Sequence, residues 1–331
     1  MRKKRLGVIG TFVWDVIHGR DARQAAVEEW GGITYALGAL DAALPPDWEL
    51  VPLVKVGEDL APQARDFLRT LRHVAADARP IAVPWRNNRV ELFYETAERR
   101  SEVLTGGVPG WSWIGLAPLL HDIDALYVNL ISGFELDLAV AQLLRQHFSG
   151  PLYCDLHSLV LAVQPDGLRT LRPLADVAEW CRCFDFMQVN EDELAMMASD
   201  PMALAATALA AGVSNLNVTL GARGVVYFAA PGFARLADLP SRRATPDTSG
   251  RRAQDAAIRT QLVPAHVAQV GDAGDPTGCG DVWGATYFAR MVAGDIMSEA
   301  IRVALDAAAR NVEHRGATGL AHYLRRELSP T

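Results

Sequence analysis

The sequence predicts an α/β fold with a mostly parallel central sheet and a small β-sheet beside it. Three observations carry this. Short apolar runs alternate with helix-length amphipathic segments, the pattern that builds parallel sheets through crossover helices. Between the second and third runs the pattern changes to two segments joined by a turn, the first of them alternating polar and apolar residues. Half of the 331 residues are hydrophobic, enough for a substantial core in a chain longer than one typical domain.

Strands are expected over Leu6–Ile9, Leu50–Val54, Ala125–Leu130, Leu152–Cys154, Phe186–Val189 and Leu216–Leu220. The first run follows Arg2, Lys3, Lys4 and Arg5. Gly7 and Gly10 interrupt it and Asp15 ends it, so it reads as a buried strand rather than a leader. Gly31 and Gly32 precede the helix-like segment Ile33–Ala42. Arg89 to Thr96 alternates, Ala97 and Glu98 turn, and Arg99 to Thr105 runs back as a β-hairpin. Together with Val16–Gly19 and Ala25–Glu29 it is expected to form a sheet apart from the main one. A lid is the natural use for it, since a lid excludes water from a reaction; an edge extension of the main sheet is the plainer alternative. Residues 240–259, rich in Arg, Ser, Asp, Thr and Pro, read as a mobile surface loop. A helix over Ala300–His314 ends at Gly316.

The formal net charge of -7 argues against a general nucleic-acid binder. No apolar run is long enough to span a membrane. Cys154, Cys181, Cys183 and Cys279 show neither zinc spacing nor a disulfide framework, so a cytoplasmic location is expected. There is no GxxxxGK[ST] phosphate loop, and no GxGxxG follows the first strand, which counts against a dinucleotide oxidoreductase.

The chemistry concentrates in Asp275, Pro276, Thr277, Gly278, Cys279, Gly280 and Asp281, which open into the apolar, helix-periodic segment Val282–Val292. Gly278 and Gly280 let the backbone turn tightly and remove side chains that would hold a ligand away, so consecutive amides point at one spot. The helix start adds unsatisfied N–H groups and roughly +0.5 of an elementary charge. Asp281 stands there as a carboxylate able to take a proton from a substrate hydroxyl while amides hold a phosphoryl group. Its plainer reading is a helix cap.

That string resembles the second signature of the PfkB carbohydrate kinase family of the ribokinase superfamily, DTxGAGDxF. Asp275, Gly278, Gly280 and Asp281 stand in register, with Thr277 at the free position, Cys279 for Ala, Trp283 for Phe and Pro276 for Thr. The resemblance implies a ribokinase-like three-layer α/β/α fold with a β-sheet lid. Residues 1–12, 37–84 and 107–331 would form the large domain, and 13–36 and 85–106 the lid. It implies an ATP-dependent kinase acting on a hydroxyl of a sugar-like small molecule, with Mg2+ and a K+ ion as cofactors to be tested and a homodimer through the lid as a possible assembly. Asp281 would be the base and Gly278, Cys279 and Gly280 the anion-binding turn.

Further matches follow in order along the chain. Asp15, after Gly10, resembles the family's acceptor carboxylate; Gly31 and Gly32 resemble its paired glycines. Many sugar kinases place an Asn four residues after the second Gly, where this chain has Ala36, which puts an ordinary ribose or fructose acceptor in doubt. Asn129 and Asp155, at strand ends, face the expected ligand crevice, with His157 nearby. Asn190 and Glu193 resemble the NxxE motif near phosphates and magnesium, Glu193 acting through water, although an N-capping pair has the same spacing. Thr219, Gly221 and Gly224 resemble the nucleotide turn, whose plainer reading is a hairpin with a Gly turn. By the same resemblance, Asp275, Thr277 and the Gly316 region would supply carbonyls to a monovalent cation. A nucleoside kinase of the same superfamily, or a non-catalytic ribokinase-like binding protein, are the rivals.

Overall fold

The computed structural model describes residues 2–18, 26–94, 100–240, 257–266, 268 and 274–328. Fourteen strands are described: β1 Lys4–His18, β2 Val27–Gly32, β3 Trp48–Gly57, β4 Ile81–Val83, β5 Arg89–Tyr94, β6 Arg100–Thr105, β7 Ala125–Asn129, β8 Leu152–Asp155, β9 Leu161–Val163, β10 Arg169–Leu171, β11 Phe186–Asn190, β12 Asn215–Thr219, β13 Val225–Ala229 and β14 Arg259–Val263. The helices are α1 Ile33–Ala43, α2 Ala61–Arg69, α3 Trp113–Leu116, α4 Leu138–His147, α5 Val177–Arg182, α6 Glu191–Ala195, α7 Pro201–Ala211, α8 Cys279–Val292, α9 Met297–Val312 and α10 Leu320–Leu324.

The central sheet has the order β14-β13-β12-β11-β8-β7-β1-β3-β4. It is parallel from β12 to β4 and antiparallel only at β12–β13 and β13–β14. Strands buried on both faces read as continuous apolar runs, because alternate residues serve different helix layers. Leu6, Val8, Leu50, Tyr127, Tyr153 and Phe186 pack with α1, α2, α8, α9 and α10. Their neighbours Ile9, Leu53, Leu126, Val128, Cys154 and Met187 pack with α3 to α7. The result is the three-layer α/β/α sandwich that the sequence predicts.

The second sheet does not stand apart. β1 is one 15-residue strand. Its first part, Lys4–Thr11, pairs with β3, while Phe12–Ile17 pairs antiparallel with β2 and Trp14–His18 pairs parallel with β5. The β-branched and aromatic run Phe12, Val13, Trp14 keeps the chain extended past the core, so the runs read as two strands are one. β5 and β6 form the expected hairpin, from Arg89↔Thr105 to Tyr94↔Arg100; its Ala97–Glu98 turn lies outside the described residues, as do Gly19, Ala25 and most of 240–259. The second sheet is therefore ordered β2-β1-β5-β6 and rooted in the main sheet at Thr11.

A further hairpin, β9–β10, is not foreseen in the sequence reading. Its turn is closed by Gln164 N–H to Leu168 O (2.8 Å) and Leu168 N–H to the Asp166 carboxylate (3.0 Å), with Gly167 at φ 87°. α9 begins at Met297, before the expected Ala300. Among the described residues, no helix is long and apolar enough to cross a membrane.

Candidate active site

The C-terminal ends of β7, β8, β11 and β12 and the N-terminus of α8 converge at the root of the second sheet. Gly278 caps α8 in a left-handed conformation, φ 75°, that L-residues rarely adopt. A Cβ there would lie 2.3 Å from the Tyr35 ring. At Gly280 the nearest atom to an added Cβ is Gln188 Nε2, 3.7 Å away, so nothing in the fold itself demands a glycine. The signature turn is pinned from within: Thr277 N–H donates to Asp275 (2.9 Å), Asp275 N–H to Val312 O (3.0 Å), and Asn311 Nδ2 to Thr277 O (2.8 Å). The Cys279 amide donates to Pro276 O at 3.2 Å, so this turn must open by one hydrogen bond before that amide can serve a ligand. The Cys279 thiol is turned to Ala308 O and Asn311, and burial pushes it up to about 11, which keeps it protonated.

Asp281 lies in the first turn of α8 and is buried. Its Oδ1 accepts Asn129 Nδ2 at 2.6 Å across 152 residues of sequence, so its partner sits on the sheet. Asp155 is held by Gln188, whose Nε2 donates both to Asp155 (3.0 Å) and to Gly280 O (3.0 Å) while Tyr153 donates to its Oε1. His157 adopts φ 39°, an uncommon conformation for this residue, and its backbone N–H supports the Asp155 carboxylate. Asn190 and Glu193 form a full capping box at α6: Glu193 N–H donates to Asn190 Oδ1 (2.9 Å) and Asn190 N–H to Glu193 Oε2 (2.9 Å), with Asn190 Nδ2 on Glu193 Oε1 (2.7 Å).

These acids feel one another. Burial first, then the charges of Glu193 and Asp281, push Asp155 well above the usual carboxylate range. Burial, Asp281 and Asp192 push Glu193 up to about 8. A site that raises carboxyl pKa values by crowding is one a cation relieves. Among the described residues no group of three or more Asp, Glu, His or Cys is placed to hold a metal directly. Asp155, Glu193 and Asp281 are the crowded carboxyls whose charge a hydrated cation would relieve. Of the carbonyls assigned to a monovalent cation, that of Thr277 already accepts the hydrogen bond from Asn311 given above.

Asn190 and Thr219 are neighbours across β11 and β12. The turn beyond Thr219 is a hairpin closed by Leu220 N–H to Gly224 O (2.8 Å). Gly221 takes φ 56° with open space where a Cβ would be, whereas a Cβ on Gly224 would lie 2.1 Å from Val263 O. Arg223 pairs with Glu191, tying this turn to α6.

On the other side, Asp15 is buried on β1 in the second sheet. A Cβ on Gly31 would sit 1.7 Å from Asp15 Oδ2, so this glycine makes room for the carboxylate. Gly32 caps α1 at φ 57°. Three contributors escaped the sequence reading. Tyr35, buried on α1, lies against Gly278, and burial plus the charges of Glu29, Asp275, Asp15 and Asp281 raise its hydroxyl pKa, keeping it a neutral donor. Gln188 had a signal, a lone amide in the apolar run Phe186–Val189. Asn311, buried in the last turn of α9, had none. Two open hollows of about 590 and 800 Å³ lie at the opposite end of the sheet, share Ser149 and Gly150, and are lined by none of these groups.

A ribokinase-like sandwich with a glycine turn, a buried Asp and a β-sheet over the strand ends defines a class of small-molecule phosphotransferases. Residues 161–322 match the family model described as pfkB family carbohydrate kinase. No curated protein matches the sequence. Among solved structures, the Burkholderia thailandensis nucleoside kinase in complex with inosine is 17% identical, with a TM-score of 0.67 over 96% of this chain and 94% of that one. The Thermotoga maritima ribokinase is 14% identical, with a TM-score of 0.64 over 98% of each chain. A pyrophosphate-dependent kinase in the ribokinase family, complexed with a pyrophosphate analog and myo-inositol, is 14% identical, with a TM-score of 0.68 over 94% and 96%. At these identities the likeness shows the fold.

Proposed function

We propose that this carbohydrate kinase uses ATP to phosphorylate a hydroxyl of a sugar or sugar-like small molecule, with Asp281 as general base. The observation that carries the reading is the Asn129–Asp281 contact, which fixes a buried carboxylate at a helix N-terminus beside the Gly278–Gly280 turn. Asn129, held at the end of a sheet strand, leaves Asp281 one orientation, so the acceptor hydroxyl meets a fixed base rather than a mobile one. Asp281 takes the hydroxyl proton as the oxygen attacks the γ-phosphorus and the bond from that phosphorus to the bridging oxygen breaks, releasing ADP. The turn and helix start stabilise charge on the transferred phosphoryl group. Asp15 orients the acceptor by accepting hydrogen bonds from its hydroxyls. The hairpin turn of Thr219, Gly221 and Gly224, beside Asn190, borders the donor phosphates. Bound Mg2+ would neutralise phosphate charge, held through water by Glu193. The second sheet, β2-β1-β5-β6, acts as the lid.

The test is product release across a panel of sugars, polyols, sugar acids and nucleosides, with ATP and pyrophosphate as alternative donors, beside Asp281→Asn. The expected result is turnover with ATP that falls roughly 10²- to 10⁴-fold in the variant while ATP binding is kept. Near-normal turnover in Asp281→Asn would remove it from the mechanism, and turnover with pyrophosphate alone would overturn the donor.

A further inference from the structure

The β9–β10 hairpin belongs to the large domain by sequence, yet it reaches the outer strand of the lid. Leu104 N–H on β6 donates to Gly167 O at 2.8 Å, and Val103 forms an isolated antiparallel bridge with Leu168. Gly167 is a glycine for two reasons: φ 87°, and a Cβ that would lie 2.6 Å from Leu104 O. The next residue but one, Arg169, has a side chain only 3% exposed. Its guanidinium meets Glu102 of β6 at 3.4 Å and donates to Ile131 O at 3.0 Å.

Ile131 stands two residues beyond Asn129, and its side chain packs against Gly32. The same turn is tied to the root of the lid. Ser132 N–H and Gly133 N–H donate to the buried Glu135 (2.6 and 3.0 Å), which also accepts the Thr11 hydroxyl at 2.6 Å. Thr11 is the last β1 residue to pair with β3 before the strand enters the lid. One buried cation thus joins the lid's outer strand to the turn that follows Asn129, a turn that Glu135 ties to the lid's root.

We propose that Arg169 is a positioning residue that latches the lid to the 131–135 turn, so that Asp15 on the lid and the Asn129–Asp281 pair on the core face the acceptor together. This rests on the kinase reading for its effect on turnover, though the latch itself does not. Donor-side groups are assigned to α6, the β12–β13 turn and α8, and the latch contacts described above, to Glu102 and Ile131, lie on other elements. The latch therefore governs acceptor use and leaves donor use alone.

The experiment combines two readouts on wild type, Arg169→Gln, Arg169→Lys, Glu102→Gln and the Arg169→Gln/Glu102→Gln pair. Amide hydrogen exchange of 101–105 in the ligand-free protein reads the latch directly. Either neutral variant is expected to speed exchange there, Arg169→Lys less so, and the double variant no more than the worse single one, the sign of coupling. Unchanged exchange in Glu102→Gln, at a partly exposed side chain that the fold does not need buried, overturns the latch. In steady state, acceptor KM should rise about ten- to hundredfold in Arg169→Gln with donor KM unchanged. An equal rise in both KM values overturns the positioning role. If wild type itself shows no turnover with any donor or acceptor, the kinase reading fails while the exchange result still decides the latch.

Discussion

Gly278 and Gly280 stand two residues apart and answer to different constraints. At Gly278 an added methyl would meet both a positive φ and the Tyr35 ring. Gly278→Ala is expected to lower stability by about 1–3 kcal/mol, read from denaturant unfolding. Gly280→Ala meets nothing closer than 3.7 Å and should unfold within about 0.5 kcal/mol of wild type while turnover falls, because its methyl would occupy the space left for the phosphoryl group. Equal stability losses in the two variants would refute the distinction. Glu193 makes a second prediction. Its pKa is raised from 4.5 to about 8, so it stabilises the fold fully below about pH 4.5, and that contribution is lost as pH rises through 8. Asp155 shifts in the same direction. The melting temperature of ligand-free protein should carry this fall between those limits, and Glu193→Gln should flatten it; an unchanged slope would sink the assignment. At this scale the signature residues were legible because glycine and acid types stand at fixed spacing. Tyr35 and Asn311 were not, because a Tyr on a helix and an Asn near a helix end look the same whether or not a distant turn rests on them.

Among elements, six core strands followed from apolar runs, while β1 was read as two strands and the strand order appears only in the structure. The polar Asp15 after the glycine-broken run looked like an end, yet its carboxylate is accommodated by Gly31 on the paired β2. The β9–β10 hairpin did carry a mark, Pro165, Asp166 and Gly167 between two short apolar runs, which is turn chemistry at hairpin spacing. Its partner, β6, lies more than 60 residues away in sequence and no local pattern points there. For the lid as an element, Asp15→Ala should weaken acceptor use by roughly tenfold or more and change donor KM little, measured by varying each substrate in turn. An equal effect on both would move Asp15 out of the acceptor side.

At the scale of the whole molecule, the two sides of the site come from different halves of the chain. The groups assigned to the donor and the base, from Asn190 to Asp281, fall inside the matched residues 161–322. Asp15, Gly31, Gly32, Asn129 and Asp155 fall outside them. The signature that carries the proposed chemistry was therefore legible in sequence and the acceptor was not, since Ala36 stands where the resemblance would place an acceptor-binding amide and no other motif names a replacement. Mg-ATP at a hundredfold excess over its Kd is expected to stabilise wild type and Asp15→Ala alike by about 2.7 kcal/mol, seen as a rise in melting temperature. Loss of that rise in Asp15→Ala would join the two halves that the structure separates. The continuous β1 has a mechanical consequence. A lid that is the outer half of a core strand is a cantilever, clamped at Thr11 and propped along β6 by the hairpin. Its compliance then lies on the opposite margin, at β2, where displacement grows toward Val27. On the proposed kinase reading, that margin, with Glu28 and Glu29 on β2, is where bulky substitutions are expected to change acceptor access.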